Sequence, residues 1–156
     1  MANKKIETFT LDETRFLSNF YPYKKGGKFP YDVTIESEGL LFDCVENAYQ
    51  AARTLDIHLK TRISKMNPYD VVNMAKLGEI PTKGNWDEIK VDIMYSLVRQ
   101  KFSNHSYLKT MLLETGDMVL EEGNTWGDVF WGISDGVGEN NLGRILMRVR
   151  EELNNS

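Results

Sequence analysis

The hydrophobic period of this chain changes at Asp43, and that change limits the folds open to it. Before it, Tyr31, Val33 and Ile35 alternate with Asp32, Thr34 and Glu36, the period of a half-buried strand. After it, Val45, Ala48, Tyr49 and Ala52 recur at helical spacing and mark one buried face. Strands come first and mostly helices afterwards, the element order of an α+β domain. The expected fold class is α+β, a compact helix-rich single domain over residues 1–156 with a small N-terminal antiparallel sheet.

Local signals fill in that outline. Lys5 to Leu11 carries Ile6, Phe9 and Leu11 in near-alternation and is expected to be a short strand, and Gly26-Gly27 is a hairpin tip. Phe16–Pro22 is aromatic-rich and ends in proline, so it reads as irregular. Asp43 has the character of an N-cap, with Glu46 at capping-box spacing. Asn67-Pro68 precedes a helix over 69–77, and Asn85 precedes one over 86–102 whose apolar stripe is Ile89, Ile93, Met94 and Leu97. A further helix is expected over 106–114, ending at Gly116, and 118–120 is a candidate strand. Leu142, Ile145, Leu146, Val149 and Leu153 describe a closing amphipathic helix.

Composition excludes several classes. With 41% apolar and 27% charged residues in 156, the chain can bury a core and keep a polar surface. A formal charge of −4 argues against a protein that wraps duplex DNA, though not against a pocket for one nucleotide. Cys44 is the single cysteine and His58 and His105 are the only histidines, so neither a disulfide nor a transition-metal centre is expected. Met1 to Thr10 lacks the apolar run of a signal peptide, and no stretch approaches the roughly 20 apolar residues of a membrane span. The expectation is a cytoplasmic protein without a metal or cofactor.

Two regions could carry chemistry. Glu46 is either the reciprocal partner of an Asp43 cap or a carboxylate facing a cleft, with Gln50 and Arg53 one and two turns further along the same side. The second region, Trp126 to Gly143, packs two tryptophans and five glycines together with Asp128, Asp135 and Asn140-Asn141. Glycines supply turns, but turns do not require tryptophan beside aspartate. That stretch is either a loop pinned to the core or one wall of a flat-ligand pocket. Ser18-Asn19, between Phe16 and Phe20, is either a buried turn or a hydrogen-bonding edge. Lys76 has the position of a helix C-terminal charge.

These pieces together resemble the NADAR family, the YbiA-like N-glycosidases. The resemblance rests on Phe16-Leu17-Ser18-Asn19-Phe20-Tyr21-Pro22, on Glu46 with Tyr49-Gln50-Ala51, and on Ala75-Lys76-Leu77-Gly78 followed by Trp86. It continues through Lys101-Phe102, Leu113–Gly116, Asp128-Val129-Phe130-Trp131-Gly132 and Asn140-Asn141-Leu142-Gly143 into Leu146–Arg150, so that it covers residues 16–150. It implies hydrolysis of the bond between a ribose and a nitrogen base. The implied substrates are phosphorylated ribosylamino-pyrimidine intermediates of riboflavin synthesis or ADP-ribose on guanine in nucleic acid.

On that resemblance Glu46 is the principal carboxylate at the sugar, Asp128 positions ribose or water, Trp131 stacks on the base, and Lys76 contacts a phosphate or the anomeric carbon. Ser18, Asn19, Phe20, Tyr49, Gln50, Arg53 and Asn140 are the implied substrate-binding residues, and Trp126 is expected to anchor the loop. Three positions depart from the family pattern: Arg53 stands for lysine, Asn47 for histidine, and Glu79 for a basic residue. The alternatives are a non-catalytic ADP-ribose or nucleotide reader on the same fold, and a structural protein whose tryptophan loop is an interface. Two carboxylates favour the enzyme, because a reader of an anionic ligand gains little from them.

Overall fold

The computed structural model describes residues 4–156. The chain is α+β and divides into two compact units, residues up to Ser18 together with Phe102–Ser156, and Asn19–Lys101.

The unit formed by Asn19–Lys101 opens with two antiparallel hairpins. Strands β2 (Tyr23–Lys24) and β3 (Gly27–Lys28) pair across the expected glycine tip, where Gly26 takes a φ of 81°. Strands β4 (Ile35–Ser37) and β5 (Leu40–Phe42) pair with Ile35 opposite Phe42. Their two-residue loop, Glu38-Gly39, has positive φ at both positions (53° and 81°), the turn whose twist matches a hairpin. The expected strand from Tyr31 is shorter than its alternation. Val33 and Ile35 are indeed buried, but hydrogen-bonded pairing begins only at Ile35. Alternating burial requires an extended chain, whereas a ladder requires a partner, and β5 supplies only three residues.

Helix α1 (Val45–Ala52) follows, and every one of its residues except Glu46 is buried. Helices α2 (Ile57–Ile63) and α3 (Pro68–Lys76) pack on it. Helix α2 has no counterpart in the sequence expectations. Its start signal is Asp56, whose side chain accepts from the amides of His58 and Leu59 at 3.0 and 3.1 Å. Helix α3 begins as expected, with Asn67 Oδ1 accepting from the Tyr69 amide and Pro68 in the first turn. Helix α4 runs Trp86–Asn104.

In the other unit, helix α5 (Ser106–Glu114) packs against α6 (Asn141–Asn154), which buries Leu142, Ile145, Leu146, Val149 and Leu153 as the period required. Arg150 of α6 donates from Nη1 to Thr115 Oγ1 (2.9 Å) and to the Met118 carbonyl (2.8 Å), which ties the helix to the turn after α5. Burial lowers the pKa of that guanidinium. Strand β1 (Lys5–Ile6) pairs in parallel with β6 (Val119–Leu120), and β7 (Gly123–Asn124) in parallel with β8 (Ile133–Ser134). The expected N-terminal antiparallel sheet is therefore two separate hairpins, and the first strand belongs with the C-terminal half of the chain. The β1–β6 pairing joins residues more than a hundred positions apart, and no local pattern encodes it.

Candidate active site

Glu46 is not a capping residue. The N-cap of α1 is Cys44, no side chain caps the helix, and Asp43 is turned away to accept from the Tyr23 hydroxyl at 3.1 Å. Burial, reinforced by the Asp43 carboxylate, pushes the Tyr23 phenol up to about 12. The Glu46 amide donates instead to the Asn19 carbonyl (3.0 Å), so a residue of the Phe16–Pro22 segment satisfies an orphan donor of the first turn. The capping-box expectation is thus corrected. The Glu46 side chain is half-buried in the first turn, where the partial positive charge of the helix end favours a carboxylate.

From Glu46 a row of hydrogen bonds follows one side of α1. Gln50 Nε2 donates to Glu46 Oε1 (2.9 Å), Arg53 Nη1 donates to Gln50 Oε1 (2.9 Å), and Arg53 Nη2 donates to Thr82 Oγ1 (3.1 Å). The i+4, i+7 spacing read from the sequence is therefore realised as direct contacts. Gln50 is 7% exposed. Asn19, equally enclosed, donates from Nδ2 to Met94 Sδ at 3.4 Å. Phe20 meets Tyr69 edge-on at 5.0 Å between centroids, with Tyr69 partly exposed at the start of α3.

Other expected residues take different places. Tyr49 is buried with its ring 5.1 Å from that of Trp86, a packing contact within the core. Asn47 is fully buried and donates from Nδ2 to the carbonyls of Ile63 and Met66 at the end of α2. The position that departs from a histidine therefore closes a helix terminus here. Lys76 is exposed in the last turn of α3 and makes no hydrogen bond or ion pair among the described residues. Cys44 is completely enclosed, and burial pushes its thiol up to about 12 against the opposing pull of the Asn47 amide.

Lys101, quoted in the resemblance, was given no role by the sequence reasoning. It is 1% exposed, its ammonium lies 5.6 Å from the Tyr21 ring centroid, and its charge opposes the rise of the Cys44 thiol. A signal existed: Met94, Leu97, Val98 and Lys101 fall on one helical stripe, and a lysine on an apolar stripe is seldom there for packing.

In the other unit the Trp126–Gly143 region is organised by Asp128. Its Oδ1 accepts from the amides of Phe130 (3.1 Å) and Trp131 (2.9 Å), while its own amide and carbonyl bind the Asn124 side chain at 3.0 and 2.8 Å. Asp128 thereby fixes the backbone that carries Trp131, whose half-buried ring meets Phe130 at 4.9 Å. Trp126, expected as the anchor, is 59% exposed and does not pin the loop. That task falls to Asn140. Its Oδ1 accepts from the Glu122 amide (3.0 Å) and its Nδ2 donates to the Leu120 carbonyl (2.9 Å), in a left-handed backbone conformation with φ of 53°. The expectation that Asn140 contacts substrate is revised, because both ends of its amide are committed to the protein backbone. Ser18 is nearly enclosed at the close of a 3₁₀ turn, Arg15–Leu17.

Among the described residues no group of three or more His, Cys, Asp or Glu side chains could hold a metal ion, and no helix is long and apolar enough to cross a membrane.

The chain is thus α+β, with a half-buried carboxylate held by an amide–guanidinium row. The comparisons make the class specific: residues 7–154 match the model of the NADAR domain, and the chain belongs to that family. The match runs through both compact units. The chain is similar to the N-glycosidase YbiA of Escherichia coli, 32% identical over 121 residues, covering 76% of this chain and 75% of that one. It is also similar to a riboflavin biosynthesis protein of Vibrio vulnificus, 35% identical over 140 residues. That alignment takes in 88% of this chain and only 35% of the relative. The NMR structure of Escherichia coli YbiA superposes with a TM-score of 0.81 at 29% identity, over 99% of this chain and 87% of that one.

Proposed function

We propose that the protein is an N-glycosidase that hydrolyses the bond between a ribose and a nitrogen base, with residues 1–156 acting as one NADAR domain. The observation that carries this reading is Glu46, the single α1 residue that is not buried and one that the structure does not use as a cap. A half-buried carboxylate oriented by a side-chain amide is costly unless it works.

Departure of the base develops positive charge at the anomeric carbon and negative charge on the leaving nitrogen. Glu46 stabilises that positive charge or takes a proton from the attacking water, whose oxygen joins the anomeric carbon as the nitrogen leaves and is protonated. Asn19 and Phe20, beside the Glu46 backbone and Tyr69 respectively, are suited to hydrogen-bond and to flank a flat substrate. On this reading Asp128 and Trp131 carry the ribose- or water-ordering and base-stacking roles, Asp128 acting chiefly by holding the Trp131 backbone. Lys76, exposed and without a partner among the described residues, is available to a substrate phosphate.

Relatives named as riboflavin biosynthesis proteins support a substrate from riboflavin synthesis, which on our reading is a phosphorylated ribosylamino-pyrimidine. ADP-ribose on guanine in single-stranded nucleic acid is the second substrate proposed, and the cytoplasm the proposed location. The test is incubation with each substrate separately, with release of the free ribosyl product as readout. Glu46→Gln should fold normally, since a glutamine can still accept from Gln50, and should lose about 10²-fold or more of the turnover. Full activity in Glu46→Gln, or no release from either substrate, would overturn the reading. Binding without release would identify a reader of the ribosyl group.

A further inference from the structure

The hydrogen-bond row from Glu46 to Thr82 has a direction, and the direction follows from donor chemistry. A guanidinium donates and never accepts. The Gln50 atom that faces Arg53 Nη1 must therefore be the carbonyl Oε1, and the amide's other end, Nε2, must face Glu46 Oε1. At the far end Thr82 Oγ1 accepts from Arg53 Nη2 and passes its own hydrogen to the Ile80 carbonyl at 3.1 Å. The links therefore diverge from Arg53, one branch running through Gln50 to the Glu46 carboxylate and the other through Thr82 to the Ile80 carbonyl.

We infer that Arg53 is a positioning residue that locks the amide of Gln50 and so holds Glu46 as a carboxylate. Its functional meaning rests on the proposed role of Glu46, but its geometry does not. If Gln50 were unconstrained, its amide could turn over when Glu46 takes a proton, and the carboxylic acid would donate to Oε1. With Arg53 in place that option is closed, and a protonated Glu46 finds only a donor at this position. The ionised form is favoured accordingly. Arg53 is half-buried, its main-chain carbonyl accepts from the Lys83 amide at 2.7 Å, and its two terminal nitrogens are both engaged, so it is well fixed. Asp43, Cys44 and Lys101 are charged or titratable groups near the start of α1, and none of them is altered in the test below.

The test is a carboxyl ¹³C NMR titration of Glu46 in the full chain, in wild type, Arg53→Lys, Arg53→Met, Gln50→Met and the double variant, each checked for native melting. Lysine is also donor-only and keeps the charge, so Arg53→Lys should titrate close to wild type. Arg53→Met and Gln50→Met should each raise the midpoint by about one pH unit. The double variant should rise no further than either single change, because both break the same row. Additive shifts would mean that Arg53 acts merely as a nearby charge, and unchanged midpoints that it does not act on Glu46 at all; either result overturns the inference. Gln50→Met with Gln50→Ala keeps the question answerable if an Arg53 variant fails to fold, and an unmoved midpoint there is equally fatal. The pH profile of turnover separates this inference from the proposed function. If the titration moves as expected but the acid limb of activity does not, the row stands and Glu46 is not the reacting carboxylate. If Glu46→Gln is inactive while no midpoint moves, the opposite holds.

Discussion

Asn140 offers the sharpest test of how the tryptophan loop is held. Its side chain is 7% exposed and satisfies two backbone groups, the Glu122 amide at 3.0 Å and the Leu120 carbonyl at 2.9 Å. Asn140→Ala removes both bonds and leaves two backbone groups in a buried setting, at about 1 to 3 kcal/mol each. The residue also sits at a φ of 53°, where alanine is strained by roughly 1 kcal/mol more than asparagine or glycine. The sum is a loss of roughly 3 to 7 kcal/mol, comparable with the whole stability of a small domain. Asn140→Gly loses the same bonds without the strain and should be milder by about 1 kcal/mol. Nothing can be filled in from the side: a Cβ on Gly143 would fall on the Leu120 carbonyl oxygen and on the Asn140 amide. Urea unfolding followed by circular dichroism measures both variants. Should Asn140→Ala unfold within about 0.5 kcal/mol of wild type while its KM rises, the side chain would be a substrate contact after all and the structural assignment would fail.

Three further outcomes follow from burial. Trp126→Ala should leave stability within about 0.5 kcal/mol of wild type, since the ring is 59% exposed; a loss of several kcal/mol by thermal melting would restore Trp126 as an anchor. Cys44 should resist alkylation in the native state at pH 8, because its thiol titrates near 12 inside the core. The same shift makes stability depend on alkaline pH. The folded thiol titrates above its unfolded value of 9.0, so this contribution is complete below pH 9 and is lost as pH climbs toward 12. Cys44→Ala should flatten the difference in urea midpoint across that window, and an identical pH dependence in both proteins would refute it.

What the sequence alone determined is the part governed by neighbours a few residues apart. The closing helix was legible because Leu142, Ile145, Leu146, Val149 and Leu153 repeat at 3.6 residues, and α3 because Asn67-Pro68 is a complete start signal. The same locality put Gln50 and Arg53 on the side of Glu46, since i, i+4 and i+7 share a helix face. Helix α2 was missed although Asp56 caps it, because seven residues carry little period to recognise. Tertiary structure decided everything that depended on a distant partner. Asp43 caps no helix, since the cap position falls one residue later on Cys44; its carboxylate accepts from the Tyr23 hydroxyl, twenty residues earlier, and the Glu46 amide goes to Asn19. Which tryptophan is the less exposed was likewise undecidable in the sequence, as Trp126 and Trp131 sit in equally glycine-rich company. Asp128 folds the backbone beneath Trp131, while the Trp126 ring stays 59% exposed. A hydrogen bond has a single best geometry and a side chain a limited number of them to give, so a polar residue's role is fixed only when the whole chain shows which partner reaches it first.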